Sequence, residues 1–261
     1  MPKIVEHVKT IINKVEPQNH LVPPATRRTQ PKRFSTGSFT SLKQQEQEWL
    51  VNRARLNKIA PNIFNSRSFT KLPYIGGRSE GDVRELVLKT PLTISSGKSV
   101  RRLAIKKFKP GHTKPQNSAH AIHSFSFLLN YLKTRGLIRI PFEVDCVEII
   151  THQGPFLVMP RIPENYVRAS KLPQNLKDEV KQFIISLNDI IYSLPKKTIE
   201  AMKSSGFIYP SPDLIASNIL VNFDNTQIKH VYIIDQFSDK NAEDPRFKRK
   251  SKTWLKRKWN K

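Results

Sequence analysis

The spacing of apolar residues predicts a central region of mixed strands and helices. Alternating or continuous apolar runs predict four strands, over residues 83–89, 100–108, 142–150 and 155–159. Between the second and third strands, apolar residues recur every three or four positions through residues 118–135, which predicts a helix. Gly136 follows where a helix typically ends. This half therefore has the predicted order strand, strand, helix, strand, strand.

The second half of the central region has a helical pattern followed by a hairpin pattern. Residues 175–194 place eight apolar side chains at helical spacing, and residues 198–205 form a shorter segment of the same kind. Two apolar runs, at residues 219–223 and 230–234, flank the turn residues Asp224-Asn225. This arrangement predicts two antiparallel strands joined by a tight turn.

The chain before residue 71 differs from the central region in composition and in the spacing of its apolar residues. Residues 1–15 have the spacing of a short amphipathic helix, and residues 17–39 are rich in proline, serine, threonine and arginine, as in a linker. Residues 41–60 form a further predicted helix, with Ser41 as the N-cap and Pro61 as the stop. We therefore predict three regions: a basic, partly disordered extension (1–70), a folded domain (71–240) and a basic tail (241–261).

The charge of the chain is strongly positive and concentrated near its ends. The 261 residues carry a formal net charge of +24, and residues 1–70 and 240–261 each hold about +8 of it. Such a charge attracts nucleic acids, anionic lipid surfaces, acidic proteins and nucleotides alike. In the tail, Trp254 and Trp259 alternate with cations, which suits base stacking, a membrane surface, or docking on the domain. We expect docking or disorder.

Several classes of protein are excluded by composition. The only cysteine is Cys146, so a disulfide framework and a cysteine-based zinc site are excluded. The seven histidines are dispersed and show no metal-binding spacing. No apolar run approaches the roughly 20 residues that a membrane span needs, and the first residues lack the apolar core of a secretory signal. We expect a cytoplasmic protein, with secretion into a host cell as the alternative.

The candidate chemistry lies around the predicted hairpin. Asp213 precedes Asn218 by five positions, Asn218 opens the first strand, and Asp235 follows the second. The pairing of the two strands brings Asn218 and Asp235 together. Amide and carboxylate oxygens are the ligands that Mg²⁺ takes when it also binds substrate phosphates. Asp213, in the loop before them, can orient an attacking hydroxyl or accept its proton.

These residues resemble the protein-kinase-like fold. Asp213 and Asn218 match its Asp-x4-Asn catalytic loop, and Asp235 matches the metal-binding Asp of the next loop. The run Leu103-Ala104-Ile105-Lys106 resembles the strand with the phosphate-binding lysine, and residues 75–83 resemble the glycine-rich loop, with Arg78 at the second glycine. Residues 156–162 resemble the strand that enters the adenine-binding hinge. The pieces occur in the family's order over about residues 72–240.

The resemblance implies a fold and a set of site residues. The fold is α+β and bilobal, with a small antiparallel-sheet N-lobe and a truncated helical C-lobe. The implied catalytic residues are Asp213 and Lys106, and the implied metal ligands are Asn218 and Asp235. The residues implied to bind the nucleotide are Gly76, Gly77, Gly81, Val83, Ala104, Lys106, Met159 and Arg161. The implied cofactors are ATP and Mg²⁺.

The chain departs from the family pattern in three places. Ser211-Pro212 stand where His-Arg usually precede the catalytic Asp. The helix at 118–135 contains no Glu to pair with Lys106, which would need another partner such as Glu85 or a phosphate. Few residues follow Asp235, so we expect no full activation segment, as in the minimal kinases that some bacteria inject into host cells.

We therefore predict an ATP- and Mg²⁺-dependent phosphotransferase, in its simplest form a minimal atypical Ser/Thr protein kinase. The expected partners are a protein substrate, an activating protein, and an anionic surface that the basic tails could contact. The missing helix Glu and Arg78 favour the alternative of a pseudokinase or partner-binding scaffold. A small-molecule kinase and a basic nucleic-acid-binding protein are further alternatives.

Overall fold

The structure is a computed structural model that describes residues 41–78, 81–111, 115–138, 141–204, 207, 214–224, 226–234 and 259. The helices in this part of the chain are α1 (Leu42–Ile59), α2 (Ser66–Thr70), α3 (Pro115–Thr134), α4 (Gln174–Ser193) and α5 (Lys196–Ser204). The strands are β1 (Tyr74–Arg78), β2 (Gly81–Thr93), β3 (Ser99–Phe108), β4 (Glu143–Cys146), β5 (Thr151–Gln153), β6 (Phe156–Pro160), β7 (Val167–Arg168), β8 (Ile219–Phe223) and β9 (Ile228–Ile233). The strands form two sheets.

The first sheet has five antiparallel strands in the order β1-β2-β3-β6-β5. Successive side chains of a strand point to opposite faces, and the core follows this rule. Leu103 and Ile105 of β3 belong to a buried cluster with Leu56 of α1 and Phe69 of α2. Ala104 of β3 belongs to a second cluster with side chains of α3. Both faces of this sheet are therefore covered by helices.

Helix α1 packs against one face of the first sheet. The Ser41 side chain accepts a hydrogen bond from the backbone N–H of Gln44, which confirms the predicted N-cap. Trp49 and Asn52 are buried and donate side-chain hydrogen bonds to the carbonyl oxygens of Ile149 and Ile150, both at 3.1 Å. The end of the predicted extension (42–70) thus packs into the core of the domain. The three-region division remains a prediction for the rest of the chain.

The second sheet has the order β4-β9-β8-β7. The β8–β9 hairpin predicted from the sequence is present, with Ile219 opposite Ile233. Strand β4 runs parallel to β9, although some 80 residues separate them in the chain. Helix α4 packs the apolar face predicted by its spacing, since Leu176, Val180 and Ile184, among others, are buried.

The prediction of one strand over residues 142–150 is wrong. The segment contains β4, then four residues outside any strand, and β5 begins only at Thr151. The four residues cross from one sheet to the other: the N–H of Val147 bonds to Ile233 of β9, and the N–H of Ile150 bonds to Val158 of β6. The side chains from α1 satisfy the carbonyls of the crossing. A continuous apolar run in the sequence can thus contribute strands to two different sheets.

The predicted α+β class with a small antiparallel sheet is confirmed. The predicted helix at residues 1–15 and the linker at 17–39 lie outside the described residues. Within the part of the chain that the structure describes, none of the helices has both the length and the apolar character required to cross a lipid bilayer.

Candidate functional site

The glycine-rich segment forms the turn between β1 and β2. Gly76 lies opposite Val83, and Gly77 lies opposite Asp82. Gly77 has a φ of 148°, which favours glycine, and a Cβ there would lie 2.6 Å from the carbonyl oxygen of Gly81. A Cβ at Gly81 would lie 2.2 Å from the carbonyl oxygen of Lys107. Because these two glycines lack side chains, the β1–β2 hairpin can pack tightly against β3. The resemblance to kinases assigned the same glycines to a phosphate-binding loop.

The five predicted nucleotide-binding residues on β2, β3 and β6 share one face of the first sheet. Val83 lies opposite Lys106, and Gly81 lies opposite Phe108, two residues further along β3. Ala104 lies two residues before Lys106, so it points to the same face, and it lies opposite Met159 of β6. The strand register thus brings together residues that the sequence separates by up to about 80 positions. The members are Gly81, Val83, Ala104, Lys106 and Met159.

Lys106 is the buried charged residue among these five. It is 8% exposed, and its Nζ lies 4.6 Å from the centre of the Phe108 ring. Lysine is rarely buried to this degree unless it is paired, because desolvating an ammonium group is costly. Its neighbour Lys107 points to the other face, with its Nζ about 6 Å from the rings of Phe69 and Phe156. Of these two adjacent lysines, only Lys106 lies among the predicted site residues.

Glu85, which was predicted as one candidate partner for Lys106, forms an ion pair with Arg102. The Nε of Arg102 lies 2.6 Å from Glu85, and its Nη2 lies 2.6 Å from Glu164, beyond the end of β6. These bonds raise the pKa of Arg102 and lower the pKa of Glu164. The exposed Arg102 thus links β2 and β3 to the segment that leaves the first sheet.

Arg161 follows β6 at the predicted hinge. Its backbone N–H donates to the carbonyl oxygen of Arg102 at 2.9 Å, and its Nη1 donates to the carbonyl oxygen of Ile162 at 2.9 Å. The backbone N–H of Arg161 is therefore already used within the protein. The hinge was predicted to hold adenine through its backbone. Among the predicted nucleotide-binding residues, Arg161 therefore suits its predicted role least.

Helix α3 carries no acidic residue, and an acid from another helix lies beside it. The Nε2 of His120 on α3 is 2.9 Å from Oε1 of Glu46 on α1. The ring of His120 also stacks on that of Trp49, with 5.6 Å between ring centres. Burial lowers the pKa of His120, although Glu46 acts in the opposite direction. Sequence reasoning missed this contact because it joins residues 74 positions apart, and neither position matches a motif.

Asn218, a predicted metal ligand, lies directly before the β8–β9 hairpin. It ends a short 3-10 turn (Ala216–Asn218) that leads into β8. Its carbonyl oxygen accepts a hydrogen bond of 2.9 Å from the N–H of Ile234, just after β9. Asp235 follows Ile234 in the sequence, and Asp213 precedes Leu214. Asp213 and Asp235 themselves lie outside the described residues, so their roles remain predictions.

The tail was predicted to dock on the domain or to be disordered, and one of its residues, Trp259, packs on the domain at a place that sequence reasoning did not connect to the site. Trp259 is 1% exposed and belongs to the larger core cluster. Its Nε1 donates a hydrogen bond of 3.0 Å to the carbonyl oxygen of Leu214. Leu214 is the residue directly after Asp213 and is itself fully buried.

A further polar arrangement lies on the second sheet. The hydroxyl of Tyr166 is 2.7 Å from Nδ1 of His230, and Nε2 of His230 is 2.9 Å from Oδ2 of Asp145. An open cleft of about 680 Å³ adjoins it, and none of its lining residues is a predicted site residue. Within the described ranges, no group of three or more His, Cys, Asp or Glu side chains could hold a metal ion.

Comparison with known proteins gives structural matches only. No sequence family and no curated protein matches the chain. Among solved structures, the GDP and kanamycin complex of APH(2'')-IIIa aligns over 71% of this chain and 74% of that one, with 12% identity and a TM-score of 0.36. The Rio2 kinase complex with ADP, Mg²⁺ and phosphoaspartate from Chaetomium thermophilum aligns over 76% of this chain and 56% of that one, with 15% identity and a TM-score of 0.35.

The α+β class with a small antiparallel sheet is as the sequence predicted, and the assignment to the protein-kinase-like fold stays a prediction. A five-stranded antiparallel sheet with one helix after its third strand is followed by helices and by the hairpin that carries Asn218.

Proposed function

We propose that this chain is an ATP- and Mg²⁺-dependent phosphotransferase that acts on a hydroxyl group of a protein substrate. The observation that supports this most directly is the shared face of the first sheet. There, a buried lysine lies among small and apolar side chains contributed by three strands. A nucleotide needs such a combination, with apolar contacts for its base and a fixed cation for its phosphates.

Each candidate residue has a separate role in the proposed reaction. Lys106 binds the phosphates of ATP, and Val83, Ala104 and Met159 contact the adenine. Asn218 and Asp235 would hold Mg²⁺ through oxygen ligands of the kind that it prefers, and a bound ion would supply neutralisation of the charge on the phosphates. Asp213 orients the acceptor hydroxyl and takes its proton. The acceptor oxygen bonds to the γ-phosphorus as the bond to the β-phosphate oxygen breaks, so that ADP leaves.

The test is transfer of labelled γ-phosphate by the purified chain, with and without eukaryotic cell extract. We expect Asp213→Ala and Asp235→Ala each to lower turnover at least about 100-fold, because positioning and charge neutralisation supply most of the rate. Asp178→Asn, on the exposed side of α4, is the matched control and should leave turnover unchanged. If the two site variants turn over ATP like the unchanged protein, this proposal is wrong.

A partner-binding scaffold is the second candidate. Two observations favour it: α3 has no acidic residue, and the backbone N–H of Arg161 is already bound to Arg102. Calorimetric titration with ATP and Mg²⁺ separates the candidates. The phosphotransferase requires binding that Lys106→Met weakens, whereas the absence of any binding favours the scaffold.

A further inference from the structure

The indole of Trp259 contacts the backbone next to the proposed catalytic carboxylate. The N–H group donates to the carbonyl oxygen of Leu214, one residue after Asp213. Trp259 comes from the basic tail, 45 positions further along the chain. Both residues are almost completely buried, Trp259 at 1% and Leu214 at 0% exposure. A hydrogen bond in such a dry environment is directional and costly to lose.

This hydrogen bond holds the backbone between two proposed functional residues, Asp213 and Asn218. Leu214 lies between Asp213 and the 3-10 turn that ends at Asn218, and Asn218 is held from the other side by the N–H of Ile234. The two bonds fix the loop backbone at both ends of a five-residue stretch. Fixing a backbone on both sides restricts the directions in which its side chains can point.

We propose that Trp259 is a positioning residue, which holds the backbone that links the proposed catalytic Asp213 to Asn218 in the sequence. This inference rests on the proposed function, because Asp213 has its catalytic role only there. Trp259 does not contact the reacting atoms itself. Its side chain acts through the carbonyl of Leu214, so the tail is part of the machinery that transfers phosphate.

The chain offers a closely matched control. Trp49 is also buried, at 2% exposure, and its indole N–H also donates to a backbone carbonyl, that of Ile149 at 3.1 Å. Trp49→Phe and Trp259→Phe therefore remove the same chemical group from equally buried positions. They differ in which backbone loses its hydrogen bond.

Two measurements test the proposal on these variants. The first is hydrogen–deuterium exchange of the peptide that spans residues 207–218, which needs no enzymatic activity. We expect Trp259→Phe to speed its exchange about tenfold, and Trp49→Phe to leave it unchanged, because exchange reports local opening. The second is steady-state kinetics: Trp259→Phe should lower kcat about tenfold with KM for ATP unchanged, since misplacing a catalytic group affects the transition state.

The outcomes separate this inference from the proposed function. Unchanged exchange in Trp259→Phe overturns the inference, even if the protein transfers phosphate. Equal losses of kcat in the two variants at equal thermal stability also overturn it, because they would reflect a general loss of stability. If the unchanged protein shows no turnover, the proposed function fails and the catalytic part of the inference fails with it, while the exchange result still decides whether Trp259 holds the loop.

Discussion

The two sheets hold their buried polar side chains in different ways. On the second sheet, His230 is fixed between Tyr166 and Asp145, so its polar atoms serve the assembly of three separate segments. On the first sheet, Lys106 lies opposite Val83 and beside the Phe108 ring, among the predicted nucleotide-binding residues. A buried group that joins segments has a structural reason to be there. A buried lysine among predicted nucleotide-binding residues is a candidate functional position.

The largest expected effect comes from removing the charge of Lys106. Lys106→Met keeps a long side chain of similar volume, so we expect the variant to remain folded. Phosphate transfer should fall about 1000-fold, because the variant lacks the cation that binds the phosphates. Turnover of labelled ATP and urea unfolding provide the two readouts.

Lys107→Met is the control for this prediction. Lys107 is the next residue on the same strand, but its side chain lies over Phe69 and Phe156 on the opposite face. Phosphate transfer should be unaffected by this change. Equal losses of activity in the two variants would contradict the assignment of function to one face of the first sheet.

A smaller effect is expected at the hairpin of the first sheet. Gly81→Ala would place a Cβ 2.2 Å from the carbonyl oxygen of Lys107, so the backbone of β2 or β3 must shift. We expect a loss of about 2–3 kcal/mol in the free energy of unfolding. At Gly76 the nearest atom to an added Cβ is an Arg168 side-chain nitrogen at 3.3 Å. Gly76→Ala should therefore cost less than about 1 kcal/mol, since a side chain can move aside. Urea unfolding measures both.

A change at His230 tests the other half of the comparison. His230→Leu leaves the Tyr166 hydroxyl and the Asp145 carboxylate without the ring that joins them. We expect a loss of about 2 kcal/mol in stability, because two hydrogen bonds at a buried position are removed. Lys229→Leu, one residue earlier, removes only an exposed ion pair with Asp224 and should cost below about 1 kcal/mol. A strong loss of phosphate transfer in folded His230→Leu would show that the second sheet also carries function.

The comparison also shows which contacts the sequence could predict. Three of the pairs in the first sheet, β1–β2, β2–β3 and β5–β6, have short connections, and the β8–β9 hairpin also joins neighbouring segments. Alternation and turn residues were therefore enough to find most of these strands. Helix α1 was found with its cap because Ser41 and Pro61 mark its ends. The same patterns placed Lys106 on a strand and Asn218 at the start of the hairpin, and the roles of both residues stay predictions.

Contacts between distant segments were beyond sequence reasoning. The parallel pairing of β4 with β9 divides the apolar run at 142–150 between two sheets, and no local pattern marks the division. The bonds from Trp49 to Ile149 and from Trp259 to Leu214 depend on where two helical or tail segments dock. Hydrophobic periodicity shows that a side chain is buried, but it does not show which carbonyl its polar atom reaches.

The smallest expected effect concerns His152, beside Trp49. Burial, with smaller contributions from His120 and Arg53, lowers the pKa of His152 to about 4. In the unfolded chain the pKa is near 6.5, so between pH 6.5 and 4 the unfolded state binds a proton that the folded state does not. Stability should therefore fall as the pH falls through this window. His152→Gln should reduce that fall by about 1–2 kcal/mol, allowing for partial solvent exposure. Urea unfolding at pH 8 and pH 5 measures the difference, and equal pH dependence in the two proteins would show that His152 titrates normally.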